Sequence, residues 1–201
     1  ILFFGLGIWQ VERLAWKNGL IAAVETRAHS EPVALNTTDW STIDPEASEY
    51  RRVLVNGSLL PGDILTQAVT AEGPGFWVMT PLRLPDGRAV LINRGFVPYD
   101  KKEAETRLDG QADGPVTITG LARDPLNAKP GYFVPDNDIA KNIFYWKDWS
   151  AMAESANIPS LDDAVPFFID ANNAPNFGGL PIGGVTIIDF PNNHLQYALT
   201  W

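Results

Sequence analysis

The chain contains no cysteine. Disulfides, thiolate metal centres and cysteine nucleophiles are therefore excluded, while the compartment is left open. Basic residues are scarce: 15 Lys and Arg stand against 24 Asp and Glu, for a net charge of −9. No basic patch is available to displace phosphate counterions, so nucleic acid is not an expected partner. Nor does the opening stretch supply the roughly 20 apolar residues that a bilayer-crossing helix needs. Ile1–Trp9 is uncharged but far too short to cross alone. It has no basic leading stretch and no small-residue cleavage site, so it does not read as a secretory signal. Internal repeats, low-complexity tracts, a nucleophile elbow, paired histidines and a phosphate loop are all missing. With 24 acids present, a two-carboxylate hydrolase remains the rival functional class.

What is present suits a folded globule. At 201 residues, with 45% hydrophobic and 19% charged, the chain is long enough to bury a core as one domain or two small ones. Residues 1–9 read as the exit half of a transmembrane helix that continues as an extension to residue 29. Leu6, Trp9, Arg13, Trp16 and Leu20 lie on one helical stripe. Trp9 and Trp16 suit a membrane interface, with Arg13 and Lys17 reaching headgroups of membrane lipid. Packing of those tryptophans within the protein is the plainer alternative. Residues 194–201, helical in propensity after the capping candidates Asn192 and Asn193, read as the entry to a second transmembrane helix.

Between these ends, residues 30–193 read as one extracytoplasmic domain. A polar stretch broken by Pro32 and Pro45 predicts a connecting loop from Ser30 to Glu49. Period-two patterning then predicts strands over 50–57, 63–69, 76–84, 88–96, 116–121, 144–146, 165–170 and 185–190. Pro61-Gly62 and Pro85-Asp86-Gly87 supply turns, the latter between hairpin strands. Lys101–Arg107 predicts a short charged helix or turn, and Asp148 caps a helix reaching Ala156. The fold class is mainly β (α+β): an antiparallel barrel or sandwich with few helices, bracketed by two truncated transmembrane helices.

Together these residues resemble the surfeit-locus-one family of cytochrome c oxidase assembly factors, bacterial type. The resemblance rests on Leu6–Arg13 with Trp16-Lys17, Thr80-Pro81-Leu82, Val90–Pro98, Pro166–Asp170, Gly184-Val185-Thr186 and Asn192–Trp201, in family order across the whole chain. It implies a non-enzymatic membrane protein whose domain faces the periplasm of bacteria or the mitochondrial intermembrane space. It further implies that the partner is the oxidase catalytic subunit, that the haem a synthesis machinery is a neighbour, and that haem a is bound transiently. The family's proposed haem ligand falls on His194. A purely structural clamp, or an accessory oxidase subunit that never binds haem, is the alternative.

His194 also stands on its own chemistry. A neutral imidazole on the first turn of a helix at a membrane boundary is a suitable axial ligand for haem iron. Tyr197 and Trp201 follow it at three and seven residues and would pack on a macrocycle or mark the interface. The plainer reading of His194 is a hydrogen-bonded interfacial residue. His29, in a polar stretch without a metal-spaced partner, reads as a surface residue. Arg94 follows an apolar run and precedes Gly95, which suggests a charge delivered at a strand end. It is a candidate to hold a haem propionate or a partner's carboxylate. An ion pair inside the domain, for instance with Asp170, is the plainer expectation. Gly95 is expected to take a backbone conformation closed to other residues. Asp170, Asn172 and Asn173 read as turn chemistry.

Overall fold

A computed structural model describes residues 2–39, 44–110, 114–126, 128–158 and 160–184. The chain divides into two units, one holding the N-terminal helix and the other spanning Glu31–Val185. The helix, α1, runs over Leu2–His29 as the proline-free sequence predicts. Trp9 and Trp16 are both more than half exposed, and the Arg13 guanidinium lies 4.1 Å over the Trp16 ring. Among the described residues no helix is long and apolar enough to cross a membrane. The predicted strand Val185–Phe190 and the predicted second span at 194–201 lie outside the described residues.

In the second unit, the stretch predicted as a plain loop carries a short strand, β1 (Val33–Ala34), paired parallel to β2 (Arg52–Leu59). Leu35 follows β1 and is fully buried, so a brief apolar group inside polar text was enough to anchor an edge. A one-turn helix, α2 (Pro45–Ser48), is capped by Asp44, whose carboxylate accepts from the Glu46 N–H at 3.1 Å. Then come β3 (Ile64–Thr70), β4 (Gly73–Arg83), β5 (Ala89–Pro98), β6 (Pro115–Arg123), β7 (Ile143–Phe144), α3 (Trp149–Ser155) and β8 (Ala164–Ala171).

Strands β2, β6, β8, β5 and β4 neighbour one another in that order, and β4 returns to β2 through Ser58 opposite Arg83 and Leu59 opposite Leu82. The ring is a closed five-strand barrel, which settles barrel over sandwich. Closure brings backbones close at Gly57, where a Cβ would lie 2.3 Å from the Arg83 carbonyl oxygen. Only glycine fits that seam. Val53, Val55, Leu82, Val90, Ile92, Phe167 and Ile169 fill the interior. Each such side chain contributes about 1.5–3 kcal/mol by leaving water. Outside the wall, Met152 and Ala153 of α3, with Ala156 just after it, pack with Met79, Leu91 and Phe168. Alternate residues of β5 therefore face two different apolar layers, which is why Val90-Leu91-Ile92 reads as a continuous apolar run.

The antiparallel expectation needs correction at three places. β5–β8, β1–β2 and β3–β7 are parallel. Short hairpins enforce antiparallel pairing, but the chain between β5 and β8 is long enough for a crossover. The hairpin predicted around Pro85-Asp86-Gly87 is present as β4–β5. β7 is shorter than predicted: the N–H groups of Tyr145 and Trp146 donate to the Asn137 side chain at 2.8 and 3.3 Å instead of to a strand.

Candidate functional site

A bulge in β5 organises the site. Val78 of β4 faces Gly95 and Met79 faces Asn93, so Arg94 is the extra residue between them. Gly95 makes the bulge possible. Its φ is +129°, and a Cβ there would lie 2.0 Å from the Ile182 carbonyl oxygen. That carbonyl accepts from the Phe96 N–H at 2.9 Å, and the Asn93 side-chain oxygen accepts from the Gly95 N–H at 3.1 Å. The expectation for Gly95 holds.

The bulge sends neighbouring side chains to different places. Asn93, not Arg94, reaches Asp170, donating to its carboxylate at 2.9 Å. Asp170 also pairs with Arg123 at 3.1 Å and Lys147 at 3.4 Å. Arg123 continues to Glu49 at 2.9 Å and lies 4.5 Å over the Tyr50 ring. The expected Arg94–Asp170 ion pair is thus replaced by a network one residue earlier on the strand. Burial alone would depress the Arg123 guanidinium, but Asp170 and Glu49 outweigh it and hold the group above its ordinary value.

Arg94 is almost fully buried, at 4% exposure. It continues the inward parity of Val90 and Ile92, at one mouth of the barrel. One guanidinium nitrogen, Nη2, donates to the Gly110 carbonyl. The other, Nη1, is buried and has no hydrogen-bond partner among the described residues. Arg94 lines a cavity of about 340 Å³ whose apolar walls include Leu59, Val116, Ile118 and Ala171, with Asn172 and Asn176 as polar members. Barrel mouths are a common place for ligand cavities.

Behind Arg94 stands a second buried guanidinium. Arg107 pairs with Asp63 at 2.8 Å, its side chain 1% exposed, while its Nε and Nη1 lack hydrogen-bond partners among the described residues. Asp63 also accepts from the Thr80 hydroxyl at 2.5 Å. Burial pushes the Arg94 guanidinium below its ordinary value; Asp63 opposes that and Arg107 adds to it. Guanidinium nevertheless stays protonated, so two buried cations share one carboxylate. Nothing in the sequence marks Arg107, which lies in the stretch predicted as a short charged helix or turn and found as 3-10 turns over Ala104–Gly110. Asp63 likewise reads only as the first residue of the strand predicted over 63–69, after the Pro61-Gly62 turn.

Of the other predicted site residues, His194, Tyr197 and Trp201 lie outside the described residues. His29 is exposed, with its ring nitrogen 2.8 Å from the Glu25 carbonyl oxygen, as a surface residue should be. Asn172 makes a turn bond, accepting from the Ala174 N–H at 3.1 Å. Among the described residues no group of three His, Asp or Glu is placed to hold a metal ion.

Fold and site define a small closed-barrel domain in which, among the described residues, two buried guanidiniums share one carboxylate. The model of the SURF1 family matches residues 1–201, and the chain belongs to that family. It is 38% identical to Surfeit locus protein 1 of Homo sapiens over 98% of this chain and 68% of that protein. A SURF1-like protein of Monosiga brevicollis is 37% identical over 100% of this chain and 78% of its own length. One of Drosophila melanogaster is 33% identical over 98% and 68%.

Proposed function

We propose that the protein is a membrane-anchored, non-enzymatic assembly factor for haem–copper cytochrome c oxidase. Membership of the SURF1 family over residues 1–201 carries this reading, because the match includes the terminal Asn192–Trp201 block as well as the barrel. The domain works in the bacterial periplasm, or in the intermembrane space if the chain is mitochondrial. There it docks the apo catalytic subunit and assists insertion of haem a. His194 ligates the iron transiently, with Tyr197 and Trp201 against the macrocycle. Haem and recipient then meet beside one domain, and the haem a synthesis machinery is the donor.

The test is the absorption spectrum of the full-length protein purified from cells that make haem a, with His194→Ala beside it. A Soret band that the substitution removes or shifts is the expected result. A bare wild-type spectrum, or an unaltered band in the mutant, overturns haem ligation by His194 and leaves a protein that clamps the oxidase subunit.

A further inference from the structure

We infer that the barrel mouth around Arg94 is a binding site for a carboxylate carried on an apolar body. The site stands apart from iron ligation at His194 and does not depend on it.

Three observations converge here. First, burying an unpaired guanidinium is costly, and among the described residues Arg94 has a single neutral acceptor, the Gly110 carbonyl. Its Nη1 has no hydrogen-bond partner although it is shut off from solvent. Second, the surroundings do not neutralise it. Asp63 is the carboxylate acting on Arg94, and it is already engaged by Arg107 at 2.8 Å and by Thr80 at 2.5 Å. Among the described residues, two guanidiniums against one carboxylate leave an excess positive charge in a low-dielectric region, where an added anion is held strongly. Third, Arg94 borders open space. The cavity it lines sets apolar Leu59, Val116, Ile118 and Ala171 beside polar threonines and asparagines, and an aliphatic or aromatic body gains burial against the apolar members.

The ligand class follows from that combination. A guanidinium with a bare nitrogen prefers a planar carboxylate, which it can bind through two parallel N–H donors. Apolar walls select a hydrophobic remainder over a sugar or a nucleotide. At about 340 Å³ the cavity is near the small end of the roughly 300–1,000 Å³ usual for ligand sites, so it takes one short arm rather than a large ring system. That arm has two chemical sources: a free apolar carboxylic acid, or the propionate of a porphyrin whose ring stays outside.

The experiment uses the full-length protein titrated with sodium octanoate and, as a neutral isostere, octan-1-ol. Saturable binding of octanoate at least tenfold tighter than octanol is expected. Arg94→Gln should erase that preference, leaving the two probes within about twofold of each other. Because Arg94→Gln alters a buried group, Ala174→Trp serves as a second variant. Ala174 is exposed and borders the cavity, so tryptophan there narrows the mouth with Arg94 intact. It should weaken both probes at least fivefold. Equal binding of octanoate and octanol to wild type, or octanoate binding indifferent to both variants, overturns the site. Haemin and haemin dimethyl ester then separate the sources. Loss of haemin affinity in the ester and in Arg94→Gln assigns the propionate; Arg94-dependent octanoate binding without either loss assigns a free acid. A bare Soret spectrum together with Arg94-dependent octanoate binding would overturn the haem reading and leave the carboxylate site standing.

Discussion

Arg94 and Arg123 both sit in strands of the same barrel, and their surroundings are opposites. Arg123 reaches Glu49 and Asp170 and stacks on Tyr50, and Asp170 is further held by Asn93 and Lys147. Its charge is matched on every side. Arg94 is the more deeply buried, yet it donates to one backbone carbonyl and keeps a nitrogen bare. Charge of either kind is expensive to bury, so the difference is instructive. A satisfied network closes the outside of the wall and fixes how β5, β6 and β8 meet. A cation at the mouth with one backbone acceptor among the described residues makes no comparable link between strands.

The largest effect should come from breaking the satisfied side. Asp170→Ala removes the group on which Asn93, Arg123 and Lys147 converge, and should cost about 3–5 kcal/mol in denaturant unfolding. A loss below about 1 kcal/mol would mean the network is only decoration on a hydrophobic wall.

Next comes the device that keeps the two regions apart. Gly95→Ala forces a side chain into φ +129° and against the Ile182 carbonyl, and should destabilise by about 2–3 kcal/mol. Amide exchange should speed up at Phe96 and Ile182, which are paired across that point. Unchanged protection there would show that the bulge is not held by Gly95.

A surface pair supplies the scale for both. Hydrogen bonding and attraction from Arg88 hold the Asp86 carboxyl below its ordinary value at the β4–β5 turn. A depressed carboxyl stabilises the fold above the ordinary carboxylate range, and that contribution is lost as pH falls through the lowered value. Asp86→Asn should therefore cost under about 1 kcal/mol at neutral pH, since the pair is half-exposed and screened, and the gap to wild type should close in acid. A gap that persists unchanged at low pH would assign the effect to turn geometry instead of charge.

Much of this was legible in the sequence for a physical reason. Period-two patterning and turn chemistry are local signals, so the strands, the Pro85-Asp86-Gly87 hairpin and the Asp148 cap emerge directly. Gly95 was legible too, because a glycine inside an apolar strand weakens it unless the backbone there bends or meets another chain segment closely. Parallel pairing of β5 with β8 was not, since it depends on how a long connection returns. The bulge was also hidden, and so was the partner of Asp170: Asn93, directly opposite it across β5 and β8, makes the contact expected of Arg94. Arg107 and Asp63 meet only in three dimensions, and a charged residue in polar text carries no sign of being buried. As for His194, Tyr197 and Trp201, their place rests on family membership and helical spacing, with no described geometry behind it.

The most direct test of the contrast is to replace each arginine by methionine and compare unfolding free energies under identical conditions. Methionine keeps apolar bulk and removes charge. Arg123→Met should lose about 2–4 kcal/mol, because Asp170 keeps its burial and loses its best partner. Arg94→Met should stay within about 1 kcal/mol of wild type or exceed it, since one hydrogen bond is lost while an unpaired buried charge disappears. Losses of equal size in both variants would contradict the account and make Arg94 a structural residue like its counterpart.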